Sequence, residues 1–102
     1  MEAANELRLT ARLVEVSALR RTPAGVPVAS CVLAHESRQM EAGIEREAKL
    51  ELAAMAIGEL AEKLAGAAPG TGVAATGFLA AKSARSHKPV LHLNAIEFME
   101  GN

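Results

Sequence analysis

Leu7, Leu9, Ala11 and Leu13 alternate with Arg8, Thr10 and Arg12 through LRLTARLVEV, residues 7–16. A period of two puts the apolar residues on one face and predicts a half-buried strand. Val14 and Val16 reverse the phase, so the strand is expected to bulge and bend near Leu13–Val14. A second strand is predicted over residues 26–36, with Ala29, Cys31 and Leu33 on one face and Val28, Ser30, Val32, Ala34 and Glu36 on the other. Between the two, Thr22-Pro23-Ala24-Gly25 fits a type I turn, with proline presetting φ at its second position. Pro27 has no N–H to give a ladder, which places it at a strand's start or on an edge. AKLELA, residues 48–53, alternates again and predicts a third strand. The polar, mixed-charge segment 37–47, which carries Gly43, is expected to be a long hairpin loop.

The period then changes. Ile57, Leu60, Ala61 and Leu64 follow the i, i+3, i+4, i+7 spacing of one helix face, predicting a short helix over 57–66 with Gly66 as its stop. A loop over 66–72 leads to a fourth strand, VAATGFLAAK at 73–82, where Gly77 permits a kink. After the polar, basic loop SARSHK, a fifth strand is predicted over 89–99, with Leu91, Leu93, Ala95 and Met99 on one face. The order β-β-β-α-β-β is that of an all-β OB-fold, a five-stranded Greek-key barrel with one short helix between strands three and four. Bending in the first strand suits barrel closure. No repeat or linker divides the chain, so residues 1–102 are expected to form a single domain.

Composition sharpens this picture. Phe78 and Phe98 are the only aromatic rings of the Phe, Tyr and Trp kind, and much of the apolar content is alanine. The core is therefore expected to consist of Leu, Val, Ile and Met around small residues. So small a core buries modest area, which makes a homodimer through the first strand and its sheet edge the expected assembly. Cys31, the sole cysteine, cannot form an internal disulfide and is expected to be a buried structural thiol in a core strand. Residues Met1 to Leu7 are acidic and lack the apolar centre of a signal peptide. No apolar run reaches the ~20 residues that span a bilayer. A cytoplasmic protein without a membrane partner is expected.

The formal net charge is −1, so any electrostatic site must come from local segregation of charge. Between Leu79 and Ile96 there is no acid, while Lys82, Arg85 and Lys88 stand with His87 and His92. These cations fall on the loop between strands four and five, one of the loops by which OB-folds hold oligonucleotides. Arg20 and Arg21 flank the first hairpin, and Arg46 and Lys49 sit at the end of the second loop. Acids gather elsewhere, at Glu2, Glu6, Glu59, Glu62, Glu97 and Glu100. A basic track across one face is the expected site, although such a loop also fits plain solvation. The scarcity of rings counts against strong base stacking. Catalysis finds no support: His35, His87 and His92 have no metal-ligand spacing with Cys31, and GAAPGTG lacks the Lys-Ser/Thr of a phosphate loop. No enzyme activity, metal or cofactor is expected.

RRTPAGVPVASCVLAHES, residues 20–37, resembles the hairpin of bacterial single-stranded DNA-binding proteins. LAHES with EAGIERE, TGFLAAKSARSHKPVLHL and NAIEF extend the likeness, from Leu7 to Phe98, to the PriB family of primosomal replication proteins. The resemblance implies a homodimeric OB-fold that binds single-stranded DNA. It also implies the PriA helicase as a partner in restarting replication forks, often with a helicase-loading primosomal protein. Carried onto this chain, the family's DNA site includes Lys82, Arg85 and Lys88 on the loop between strands four and five. Positions where some members carry loop aromatics fall at or near Ile44 and Lys49, a departure that implies weaker DNA binding resting on phosphate contacts. A general single-stranded DNA-binding protein would add a long tail with an acidic end, which Met99-Glu100-Gly101-Asn102 does not resemble. A third reading is a protein-interaction adaptor for the helicase with little DNA affinity.

Overall fold

A computed structural model describes residues 2–99. The terminal residues 100–102, which bear on the expected lack of a tail, lie outside the described residues, as does Met1. The elements are β1 (Leu7–Val16), β2 (Arg20–Arg21), β3 (Pro27–Glu41), β4 (Ile44–Ile57), α1 (Glu59–Ala65), β5 (Gly72–Ala81) and β6 (Pro89–Phe98). The sheet order is β1-β5-β6-β4-β3-β2, and an added β1–β3 pairing closes the five long strands into a barrel. This is the OB-fold that the order of periodicities predicts.

β1 makes closure possible by serving two neighbours. Residues Leu7 to Arg12 pair with β5, and Arg12 to Val16 pair with β3. The register slips between Leu13 and Glu15, at the expected bulge. There the strand gains the bend it needs to pass from one partner to the other. The first turn also forms as read: Gly25 N–H donates to the Thr22 carbonyl at 2.8 Å. Pro27 opens β3, and its free carbonyl accepts from Gly58 N–H at 2.9 Å.

Leu13, Leu33, Leu64, Leu91 and Val73 are the largest fully buried side chains, packed among Ala29, Ala54, Ala56, Ala61 and Ala75. α1 covers one end of the barrel through Ala61 and Leu64. Cys31 is buried as expected, and burial pushes its thiol up to about 11. The expected methionine contribution does not appear. Met40 and Met99 are exposed, and no methionine among the described residues belongs to the buried core.

Several details differ from the sequence expectation. The expected loop over 37–47 is instead ladder, unbroken to the pair Glu41↔Ile44 and turned by Ala42-Gly43 alone. Both turn residues have positive φ, 53° and 80°, the geometry of a tight hairpin turn. This hairpin projects beyond the barrel, so neither face is buried in a core and alternation is lost. Ile57 ends β4 rather than starting the helix, because Gly58 turns the chain at φ 81° and α1 begins at Glu59. Arg20 and Arg21 form a short strand against Val28 and Pro27 instead of merely leading to the turn. Ala95 in β6 and Met99 just after it are exposed while Ile96 is buried. The register runs Thr76↔Ala95 then Gly77↔Leu93, so Asn94 is an extra residue that reverses the phase.

Candidate nucleic-acid interface

The seven cations singled out by the sequence fall into two groups. Arg46 reaches Glu41 at 2.6 Å, Lys49 reaches Glu36 at 3.7 Å, and Arg21 reaches Glu62 at 3.7 Å. Among the described residues, Arg20, Lys82, Arg85 and Lys88 make no salt bridge. The acids are thus less separate from the cations than their spacing in sequence implies: Glu62 on α1 meets Arg21, and the β3–β4 hairpin supplies its own carboxylates. Arg46 and Lys49 are on a strand, not at the end of a loop, and face Gln39 and Glu36 across the ladder.

The β5–β6 loop is built by its own serines. Lys82 N–H donates to the Lys88 carbonyl at 2.8 Å, closing the loop's neck. Ser83 Oγ accepts from the N–H groups of Arg85 and Ser86 at 3.2 and 3.1 Å, and Ser86 Oγ accepts from Lys88 N–H at 3.4 Å. Small hydroxyl residues satisfy backbone donors locally, so the exposed cations are carried on an ordered turn. Ser-Ala-Arg-Ser is therefore a scaffold as well as a polar stretch.

Register fixes where this loop lies. β4 and β6 run parallel, with Ala54↔Leu91 and Met55↔His92, so the loop preceding Pro89 lies toward the end of the sheet from which the β3–β4 hairpin projects. Arg20 pairs with Val28, which pairs with Ile57, toward the opposite end. Between these ends the outer face carries a row of side chains, Ser30, Met55, His92 and Phe78, each paired across the ladder with the next. Phe78 and His92 stack, with ring centroids 5.1 Å apart and planes within 5°. Phe98, in contrast, packs partly against the core. The meeting of Phe78 and His92 depends on a pairing register that one strand's sequence does not display.

The hairpin tip bears no ring. Met40 and Ile44 are its apolar residues, 68% and 69% exposed. Farther down the hairpin, Glu36 and Glu47 share a hydrogen bond, which holds Glu36 below the ordinary carboxylate range and Glu47 above it. Lys49 lowers both. His35 is tied by both ring nitrogens, to Thr10 and Ser37. Among the described residues no cluster of three or more His, Cys, Asp or Glu is placed to hold a metal. No helix there is long and apolar enough to cross a membrane.

A family model described as "Another single-strand binding protein family" matches residues 5–95. Replication restart protein PriB of Bordetella pertussis is 42% identical over 98 residues, covering 96% of this chain and 92% of that protein. The chain belongs to the PriB family. PriB of Nitrosomonas europaea is 39% identical over 89 residues, 87% of this chain and 82% of the relative. Among solved structures, PriB of Ralstonia solanacearum superposes with a TM-score of 0.85 at 37% identity, covering 96% of this chain and all of that one. The single-stranded DNA binding protein of Thermus aquaticus has a TM-score of 0.78 at 23% identity, over 96% of this chain and 51% of that chain. That likeness is one of fold. This chain carries Lys82, Arg85 and Lys88 on its β5–β6 loop and bears Ile44 and Lys49 on its hairpin.

Proposed function

We propose that this protein binds single-stranded DNA as an accessory component of the replication-restart primosome, acting by binding rather than catalysis. The observation that carries the reading is the set of four exposed cations, Arg20, Lys82, Arg85 and Lys88, that have no acidic partner among the described residues, on a PriB-family OB-fold. Cations already paired within the chain must give up an interaction before they meet phosphate, whereas these four neutralise phosphate charge directly. Arg21, Arg46 and Lys49 take a lesser part, because each has a carboxylate within reach. The protein partner is the PriA helicase, with a loader protein to follow, and the protein works in the cytoplasm. It works as a homodimer, joined through the part of β1 from Leu7 to Ala11 that pairs with β5 on one side only. The same basic face serves DNA and helicase, since anionic groups of either partner can meet these cations.

The test is fluorescence anisotropy of a labelled oligo-dT across salt concentrations, with and without helicase. Salt-sensitive binding, and competition between excess oligonucleotide and helicase, is the expected result. Binding of helicase alone, with no oligonucleotide affinity at low salt, would leave the adaptor reading in its place.

A further inference from the structure

The outer face of the β3–β4 ladder changes character partway along. At the barrel, the outward rungs Val28↔Ile57, Ser30↔Met55 and Val32↔Ala53 bear no charge. From Ala34↔Glu51 to the hairpin tip, every outward rung bears one carboxylate. Glu51 comes first, then Glu36 opposite Lys49, Glu47 opposite Arg38, and Glu45 opposite Met40. All four carboxylates are exposed. No rung of this row is net positive, because each of its two cations stands across the ladder from an acid. Lys49 Nζ lies 3.7 Å from Glu36. The opposite face of the hairpin adds no free cation among the described residues, since Glu41 holds Arg46 at 2.6 Å.

A nucleic-acid strand carries a phosphate at every residue, so this row bears on where a strand can lie. Along the barrel a strand meets cations at the β5–β6 loop and at Arg20, with uncharged rungs of β3 and β4 beside its path. Up the hairpin it would lay its phosphates over a carboxylate at each outward rung. Those rungs are two residues apart, about 7 Å. That is within the Debye length of about 8 Å at physiological salt, so a phosphate anywhere along the row feels at least one of them. The row from Ala34↔Glu51 to Met40↔Glu45 covers six residue steps, roughly 20 Å. Carboxylates near the tip are therefore screened from a strand confined to the barrel and act only on one that passes over them. Repulsive elements of this kind limit what a binding face accepts.

We infer that Glu45 and Glu47 set one end of the single-strand site. They hold the strand off the projecting hairpin and confine it to the barrel face between the β5–β6 loop and Arg20. The inference rests on the proposed DNA-binding function and deepens it. The hairpin is a boundary of the site, although Arg38, Arg46 and Lys49 give it cations of its own.

Glu45→Gln/Glu47→Gln is compared with wild type by anisotropy on labelled oligo-dT of increasing length, at several salt concentrations. Glu6→Gln/Glu59→Gln makes the same change of charge away from the hairpin and serves as the control. All four residues are exposed, and glutamine keeps the shape of the side chain. On short oligonucleotides the hairpin variant should match wild type. On long ones it should bind roughly 2- to 10-fold more tightly at low salt, in line with the worth of exposed charge pairs. The gain should fade as salt rises. Its affinity should also keep rising with length beyond the point where wild type levels off. If wild type binds but the hairpin variant binds long oligonucleotides no better, or gains equally at every length, the boundary is wrong and the DNA-binding function stands. A gain shared by the control would assign the effect to net charge and overturn the boundary as well. If wild type binds no oligonucleotide at low salt, the DNA-binding function falls and the boundary falls with it.

Discussion

His35 Nδ1–H donates to the carbonyl of Thr10 at 2.6 Å, across the point where β3 leaves β1. The β1–β3 ladder ends at Arg12↔Ala34, and this side chain continues the tie one residue farther along β3. With Nδ1 carrying the proton, neutral Nε2 accepts from the Ser37 hydroxyl at 2.8 Å. His35 thus anchors the root of the projecting hairpin to the barrel. Replacing it by Ala should cost about 0.5–1.5 kcal/mol, the net worth of a typical hydrogen bond where water can replace it. Urea denaturation should show a lower midpoint at an unchanged m-value. An unchanged midpoint would show that the hairpin root needs no such tie.

The bulge at Gly77 predicts a larger effect. Gly77→Ala forces a β-carbon onto the His92 carbonyl, and backbone, unlike a flexible side chain, does not readily yield. The expected loss is about 1–3 kcal/mol or more. Thermal unfolding measures it, and a variant as stable as wild type would show that the two strands separate at little cost.

Salt dependence distinguishes paired from unpaired cations. Four phosphate contacts, from Arg20, Lys82, Arg85 and Lys88, give a log–log slope of about −3 at roughly −0.7 per contact. Lys82→Ala or Lys88→Ala should remove about 0.7 from the slope and weaken binding alike for oligo-dT and mixed sequence. Arg46→Ala should change the slope less, because Glu41 already holds its guanidinium. Glu62→Ala, which releases Arg21, should strengthen binding slightly, and Glu59→Ala should change little. A flat salt response, or unchanged affinity after loss of all three loop cations, would reject the loop as the site.

Cys31 provides a check on the barrel interior. Its folded thiol titrates near 11, above its ordinary 9.0, because burial disfavours the thiolate. A raised pKa contributes stability that is complete below pH 9 and is lost as pH rises toward 11. At pH 8 a thiol reagent should label the native protein slowly and the urea-unfolded protein fast. Equal rates would place Cys31 outside the core.

Two copies should associate through the free edge of β1. Sedimentation at micromolar concentration should give a dimer, and a monomer there would exclude this edge as the interface.

Local pattern was enough for the barrel. The two-residue period of Leu7–Leu13 and Ala29–Leu33, the turn at Thr22–Gly25, the shift of period near Leu60 and the phase reversal at Leu13–Val14 each reflect which side of a strand or helix meets the core. Five such strands and a helix in that order admit few arrangements. Likewise, the basic loop was legible as a run of residues free of acids. The sequence alone did not show what depends on pairing between distant strands. Residues 37–47 lost their alternation because no core covers either face, so a ladder looked like a loop. Arg21, Arg46 and Lys49 looked as available as Lys82 until the fold brought each a carboxylate. Phe78 and His92 became one surface only through a bulge that Gly77 permits and Asn94 completes. Burial writes a period into the chain, and that can be read residue by residue. Register and cross-strand neighbours arise from closing the barrel, and only the tertiary structure sets them.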